Sequence, residues 1–243
     1  MQRKVWIAAM TAALSVVAGV AQAQQAGDVV LGAGWMYFSP QNSSKPLTRS
    51  TLGGPSTEIP NSGAKVSNAS TVGLSGLYYF TSNWAVETVL GIPPSFKLDG
   101  TGSLAGVGRI GEAKQWSPTV LLRYTFLDGQ AKFRPFVGLG ATYVWYSDVR
   151  LTDNFHRQMA GAAAPVTNTS AKLSKSFAPV FNVGAGYQFD KHWGISWSVS
   201  YIPLKTKADL TTRMNSTGAT VGTGSTKLTL DPIVSYLSLN YRF

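Results

Sequence analysis

The sequence predicts an all-β protein, an eight-stranded antiparallel up-and-down transmembrane β-barrel with short periplasmic turns and four long extracellular loops. Three observations predict it. Eight segments alternate apolar and polar residues at period two, as half-buried strands do. Short and long connections strictly alternate between them, the even-stranded pattern of a barrel with both termini on one side. The face opposite each apolar face carries charged and amide side chains, so the apolar face must look outward.

The chain opens Met-Gln-Arg-Lys, runs apolar from Val5 to Val20 and reaches the small-x-small site Ala21-Gln22-Ala23. A charged start, an apolar middle and such a site make an export leader, so 1–23 is expected to be removed and 24–243 to form one domain. A short membrane anchor is the competing reading, but no stop-transfer charges follow and the polar Gln24-Gln25-Ala26-Gly27-Asp28 comes at once. The chain has no cysteine, which excludes disulfides and thiolate metal sites. No apolar run after Ala23 is long enough for a spanning helix, so crossing a membrane requires a closed set of strands.

The predicted strands are approximately 29–39, 70–80, 84–92, 117–127, 133–147, 177–189, 193–204 and 231–243. Tight turns at Thr81-Ser82-Asn83, Asp128-Gly129-Gln130-Ala131 and Asp190-Lys191-His192 join three pairs. The other connections, 40–69, 93–116, 148–176 and 205–230, are long, and helical patterning is weak throughout. In the fourth strand Val120, Leu122, Tyr124 and Phe126 share a face; in the seventh Trp193, Ile195, Trp197, Val199 and Tyr201 do. A soluble sandwich would pack such faces together and leave polar residues outside. Trp84, Tyr124, Phe126, Phe133, Tyr187, Phe189, Trp193, Tyr241 and Phe243 all fall near the tight turns or the C-terminus, where they would form an interfacial aromatic girdle.

Four stretches are similar to the OmpW family of small outer-membrane barrels: "SNWAVE" (82–87), "SPTVLLRYTF" (117–126) with "KFRPFVGLGATY" (132–143), "FAPVFNVGAGYQF" (177–189) and "LDPIVSYLSLNYRF" (230–243). "YIPLKT" (201–206) followed by "STKLTLDP" (225–232) leans toward the alkane-uptake, AlkL-like branch. The resemblance implies a barrel in the outer membrane of a Gram-negative bacterium with a narrow apolar passage for small hydrophobic molecules. Leu237, Leu239, Tyr241 and Phe243 match the terminal signal by which the outer-membrane assembly machinery recognises its clients.

Eight strands enclose room for side chains or one small ligand, not a wide aqueous pore. Parity assigns Met36, Phe38, Val89, Leu121, Val144, Tyr146, Val180, Ile202, Leu204, Val234 and Tyr236 to an inward apolar upper chamber. It assigns Glu87, Arg123, Arg134, Asn182, Gln188, Asn240 and Arg242 to a polar plug below, with Thr125, Ser196 and Ser198 beside them. Glu87 is expected to meet Arg123, Arg134 and Arg242, because buried charges are tolerated when paired. Pro40, Pro93, Pro94, Pro118, Pro179, Pro203 and Pro232 sit at the upper strand ends, where each removes a ladder donor and can loosen pairing. An apolar molecule entering from outside is thus expected to leave sideways into the membrane.

Counted from 40 to 67, 93 to 115, 147 to 175 and 205 to 231, the long loops hold 14 Lys and Arg against 7 Asp and Glu, which suits the phosphates of lipopolysaccharide and outer-membrane lipids. Nucleic acid is not an expected partner, since basic and stacking aromatic residues are not interleaved on one face. A monomer or weak oligomer without cofactor or metal is expected. Catalysis is not: His156 and His192, the only histidines, fall at opposite ends of the barrel with no patterned nucleophile or second metal ligand. A structural or surface-receptor barrel is the alternative. Gly106-Val-Gly-Arg-Ile-Gly111 fits a dinucleotide-binding glycine pattern, but no strand leads directly into it and no convincing helix follows. It is expected to be a turn at the barrel mouth, with Leu104, Val107 and Ile110 as apolar contacts at the entrance.

Overall fold

The computed structural model describes residues 25–51 and 54–243. The expected leader lies outside the described residues. β1 (Val29–Ser39) is followed by β2 (Ser43–Ser44), β3 (Thr48–Thr51), β4 (Thr57–Glu58), β5 (Ser62–Val66), β6 (Ala69–Tyr79) and β7 (Trp84–Gly91). β8 (Ser95–Gly102), β9 (Arg109–Trp116), β10 (Thr119–Thr125) and β11 (Phe133–Leu151) come next. A short helix, α1 (Asp153–Ala160), leads to β12 (Thr167–Leu173), β13 (Ser176–Gln188), β14 (Trp193–Tyr201), β15 (Lys205–Met214), β16 (Thr220–Thr229) and β17 (Ile233–Arg242).

The eight expected strands are β1, β6, β7, β10, β11, β13, β14 and β17. They follow one another as β10-β7-β6-β1-β17-β14-β13-β11, and the β10–β11 pairing closes the barrel. All pairings are antiparallel, as tight hairpin turns require. Strict alternation then puts one residue set inside and the other outside. Leu74, Leu139, Val183 and Trp197 are exposed on the outer face while Met36, Leu121, Val180 and Val234 are buried. An apolar exterior of this extent is stable only against hydrocarbon.

The long connections differ from the expectation of irregular loops. Three strand pairs run on beyond the membrane part in the same register: Tyr201↔Ile233 continues as Lys205↔Thr229, Thr119↔Thr142 as Trp116↔Trp145, and Gly73↔Gly91 as Val66↔Leu98, with register shifts only farther out, at Ser147/Arg150 and Thr212/Arg213. Pro93-Pro94, Pro118, Pro203 and Pro232 mark kinks in long hairpins, not their ends. Each proline removes one N–H and interrupts the alternation without stopping the pairing above it. Helix α1 is also an addition; Thr152 caps it by accepting from the Phe155 amide at 3.3 Å.

At the turn end the aromatic girdle forms touching groups. Trp84 and Tyr124 lie 4.9 Å apart, Tyr124 and Phe126 5.0 Å, Trp193 and Tyr241 5.0 Å, and Tyr241 and Phe243 4.8 Å between ring centroids. Leu237, Leu239 and Phe243 point outward on the last strand, with Tyr241 half-buried among these rings. The Phe243 amide donates to the Val29 carbonyl at 3.0 Å, tying the chain end to the first strand.

Candidate functional site: a stacked apolar interior over a charged base

The barrel base is built around one buried ion pair. Leu121↔Glu87 and Arg123↔Ala85 are neighbours on β10 and β7, so Glu87 and Arg123 point inward diagonally across one pair of strands. Arg123 Nη1 lies 3.4 Å from Glu87 Oε2, and both side chains are 8% exposed. The Arg123 guanidinium also lies flat over Phe136, its Cζ 3.3 Å from the ring centroid. Its Nε has no hydrogen-bond partner, so the cation is held by charge and ring contact more than by a full donor set.

The other expected members of the plug take partners beyond Glu87. Arg134 donates to the carbonyls of Ser82, Phe126 and Leu127 at 3.0–3.2 Å, stitching two turns across the barrel floor. Arg242 reaches Asp28 at 3.7 Å and the Lys191 carbonyl at 3.0 Å. Asn240 joins Ser196 and Ser238 in a small hydroxyl–amide network, and Asn182 donates to Ser200 Oγ at 2.8 Å. Gln188 is only half-buried and lines the basal cavity with Glu87, Arg123 and Arg134. Tyr79 is not among the expected residues although it shares the inward parity of Ser75 and Leu77 on β6; it is buried here with its hydroxyl 3.2 Å from Thr125 Oγ1.

Above the pair, Met36, Phe38, Val89, Leu121, Val144, Val180, Ile202, Leu204, Val234 and Tyr236 form one buried apolar cluster, with Tyr146 packed against it. Leu204, Val144 and Val180 are each 1% exposed. A small cavity of about 40 Å³ lies among Met36, Val89, Leu121, Val180 and Tyr236, floored by Glu87 and Asn182. Gly73 on β6 makes room for two of these side chains, since a Cβ there would collide with Met36 and Tyr236. Tyr236 turns its hydroxyl to the Gly73 carbonyl at 3.2 Å.

A second, more apolar cavity, of about 100 Å³ and partly open to solvent, lies higher, between the strand extensions. Its walls include Leu47, Phe96, Leu104, Ile110, Phe155 and Leu210, and among the predicted chamber residues only Tyr146 lines it. The apolar interior is therefore taller than parity within eight strands implies. Leu47, Phe96, Phe155 and Leu210 fall in segments expected to be loops; the alternation Lys205-Thr206-Lys207-Ala208-Asp209-Leu210 was the signal available for the last.

The glycine stretch lies at this cavity. Leu104 and Ile110 line it and are buried, Val107 packs against the same cluster, and Gly108 takes a positive φ of 68° at the turn. A strand, not a helix, follows it, so no helix N-terminus faces a phosphate. His156 Nδ1 lies 2.8 Å from Thr169 Oγ1 and its Nε2 donates to the Ala164 carbonyl at 3.1 Å. His192 lies at the far end, its Nδ1 3.0 Å from the Arg242 carbonyl, stacked on Tyr241.

Residues 25–243 match the family model described as OmpW family. Outer membrane protein W of Salmonella typhimurium is 31% identical over 242 residues, 99% of this chain and all of that one. Outer membrane protein AlkL of Ectopseudomonas oleovorans is 29% identical over 185 residues, 76% of this chain and 71% of that one. The crystal structure of the outer membrane protein OprG from Pseudomonas aeruginosa superposes with a TM-score of 0.77 at 27% identity, covering 92% of this chain and 99% of that one. The eight-stranded closed barrel, its apolar exterior and this match over nearly the whole described chain agree: the protein belongs to the OmpW family and is a β-barrel of the Gram-negative outer membrane.

Proposed function

We propose that this barrel is a passive channel for small hydrophobic molecules, which enter from the outside through the cavity lined by Leu104, Ile110, Phe155 and Leu210. They settle in the chamber around Leu121, Val180 and Leu204 and leave sideways into the membrane. The observation that carries the reading is the vertical order: an apolar cavity of about 100 Å³, and below it a smaller one of about 40 Å³ walled by Met36, Leu121, Val180 and Tyr236, stand above a buried Glu87–Arg123 pair. An apolar solute gains by entering the upper space and loses by displacing a charged base, so straight passage to the periplasm is the costlier route.

A side exit is favoured at one place. β13 pairs with β14 only up to Phe181↔Tyr201, although β13 continues to Ser176. Extending that register places Pro179 opposite Pro203. Neither has an N–H, so the ladder cannot continue there. Val180, Ile202 and Leu204 back this seam from the inside.

Transport rather than catalysis also fits the two histidines, which lie at opposite ends of the barrel, His156 with its ring nitrogens on a hydroxyl and a carbonyl and His192 with Nδ1 on a carbonyl. The experiment is the uptake rate of a radiolabelled medium-chain alkane into cells carrying the protein, no protein, or Leu204→Lys or Val180→Lys. The variants are first shown to be folded in the outer membrane by heat-modifiable migration. The expected result is uptake that falls toward the protein-free rate in the variants. Wild-type uptake in correctly inserted variants would remove the chamber from the mechanism.

A further inference from the structure

The charges outside the membrane part are distributed unevenly between the two groups of strand extensions. On β8, β9 and β11 they are neutralised in pairs: Arg109 with Asp99 at 2.7 Å and Lys114 with Asp148 at 2.8 Å. On the β12, β13, β15 and β16 side they accumulate. Alternation in β15 buries Thr206 and Ala208 and exposes Lys205 and Lys207. Lys207 stands directly opposite Lys227 on β16, and the Lys45 amide donates to the Lys227 carbonyl at 2.9 Å. On the other side the Ser174 amide donates to the Lys207 carbonyl at 2.8 Å and Ser176 Oγ to that of Lys205 at 2.7 Å, which brings exposed Lys175 alongside. Lys172 lies opposite Asp209.

Within this face Asp209 is the carboxylate, paired with Lys207 at 2.8 Å; Asp231 and Glu58 lie at its margins. Like charges directly opposite on neighbouring strands destabilise a sheet unless an anion lies between them. The height of the face identifies that anion. Lys175 is two residues beyond Phe177, which is 75% exposed on the lipid-facing side, and Lys205 is four beyond the exposed Tyr201. At about 3.3 Å per residue the lysines begin within roughly 7 to 13 Å of the upper edge of the apolar band, at headgroup height.

We propose that this lysine face is a docking surface for the phosphate groups of a phosphorylated outer-leaflet glycolipid, held directly above the Pro179/Pro203 seam. Phosphate oxygens would sit between Lys207, Lys227 and Lys205, while the acyl chains lie against Phe177 and Tyr201. The lipid thereby borders the seam, so that the site of lateral opening is set by a bound lipid as well as by the missing ladder. The docking itself rests only on the barrel's place in the outer membrane. It stands or falls separately from uptake of apolar molecules.

The test is native mass spectrometry of the full barrel released from detergent, titrated with bisphosphorylated lipid A or with the same lipid after enzymatic removal of its phosphates. Lys205→Gln/Lys207→Gln/Lys227→Gln is compared with Arg109→Gln/Lys114→Gln/Arg150→Gln, which removes the same charge from the other extensions. Each juxtamembrane lysine is worth about 1 kcal/mol, so the first variant is expected to lose on the order of a hundredfold in affinity for the bisphosphorylated lipid. The second is expected to stay near wild type, and the dephosphorylated lipid to bind all three weakly and alike. Equal losses in both variants, or dephosphorylated lipid binding as tightly as the bisphosphorylated form, would overturn the proposal. Heat-modifiable migration confirms that each variant is folded.

Discussion

Phe181 on β13 and Tyr201 on β14 form the last ladder pair of their strands, and the same register carried two places further brings Pro179 opposite Pro203, the residue between Ile202 and Leu204 where β14 gives way to β15. The break is local: β13 remains paired to β11 through Pro179↔Ala141, and the Leu230 amide still donates to the Leu204 carbonyl at 2.9 Å. Opening of this seam therefore requires no loss of the ladders on either flank.

Because the chain has no native cysteine, the seam can be closed chemically. Directly opposite residues on antiparallel strands have Cβ atoms about 4.5–5.5 Å apart, close to the range a disulfide spans. In Pro179→Cys/Pro203→Cys, alkane uptake is expected to drop severalfold when the disulfide forms, verified by mass, and to recover on reduction. Equal uptake in both redox states would place the exit elsewhere.

Glu87→Gln leaves the buried Arg123 cation without its counter-ion. Loss of one member of a buried pair costs about 3–5 kcal/mol, and the variant is expected to lose stability in that range in urea titrations of the barrel in detergent micelles. Replacing both residues, as in Glu87→Leu/Arg123→Leu, is expected to recover most of the loss, because the uncompensated charge is gone. A double variant as unstable as Glu87→Gln would show that the Arg123–Phe136 contact, not the pair, stabilises the base.

Asp190 in the β13–β14 turn accepts from the His192 and Trp193 amides, each at 2.8 Å, and these bonds hold its carboxyl below the usual carboxylate range. A depressed folded-state pKa stabilises the turn above the ordinary carboxylate value of about 3.9, and that contribution is lost as pH falls through the lower folded value. Protection of the His192 and Trp193 amides against hydrogen exchange is thus expected to decline on acidification below about pH 4. In Asp190→Asn the decline should disappear; an unchanged profile would assign it to another group.

Phe243 is half-exposed at the end of the outward row Leu237, Leu239, Tyr241. Phe243→Ala is expected to lower the folded, outer-membrane fraction of the protein severalfold, read by heat-modifiable migration, without altering the stability of molecules that do assemble by much more than one lost exposed ring. A folded fraction equal to wild type would mean that the last ring is not part of the assembly signal.

The eight membrane strands and their inward residues were legible because period-two alternation survives wherever one face meets lipid and the other a packed interior, as in Val120-Leu121-Leu122-Arg123-Tyr124. The inward set from Met36 to Tyr236 follows from that parity alone. The strands above the membrane were not legible. Between Lys205 and Thr229 both faces carry Thr, Ser and Lys, so hydrophobic contrast vanishes although the pairing persists, and prolines at 203 and 232 resemble strand ends.

Local sequence thus determined the count of barrel strands and which of their side chains face inward, since each depends on neighbours one or two residues away. Tertiary structure alone decided what those side chains meet. Arg134 binds turn carbonyls and Arg242 reaches Asp28, because the turns and the chain's first strand close over the base. Leu47, Phe96, Leu104 and Phe155, distant in sequence, enclose one cavity only because the extended hairpins keep their register past the membrane.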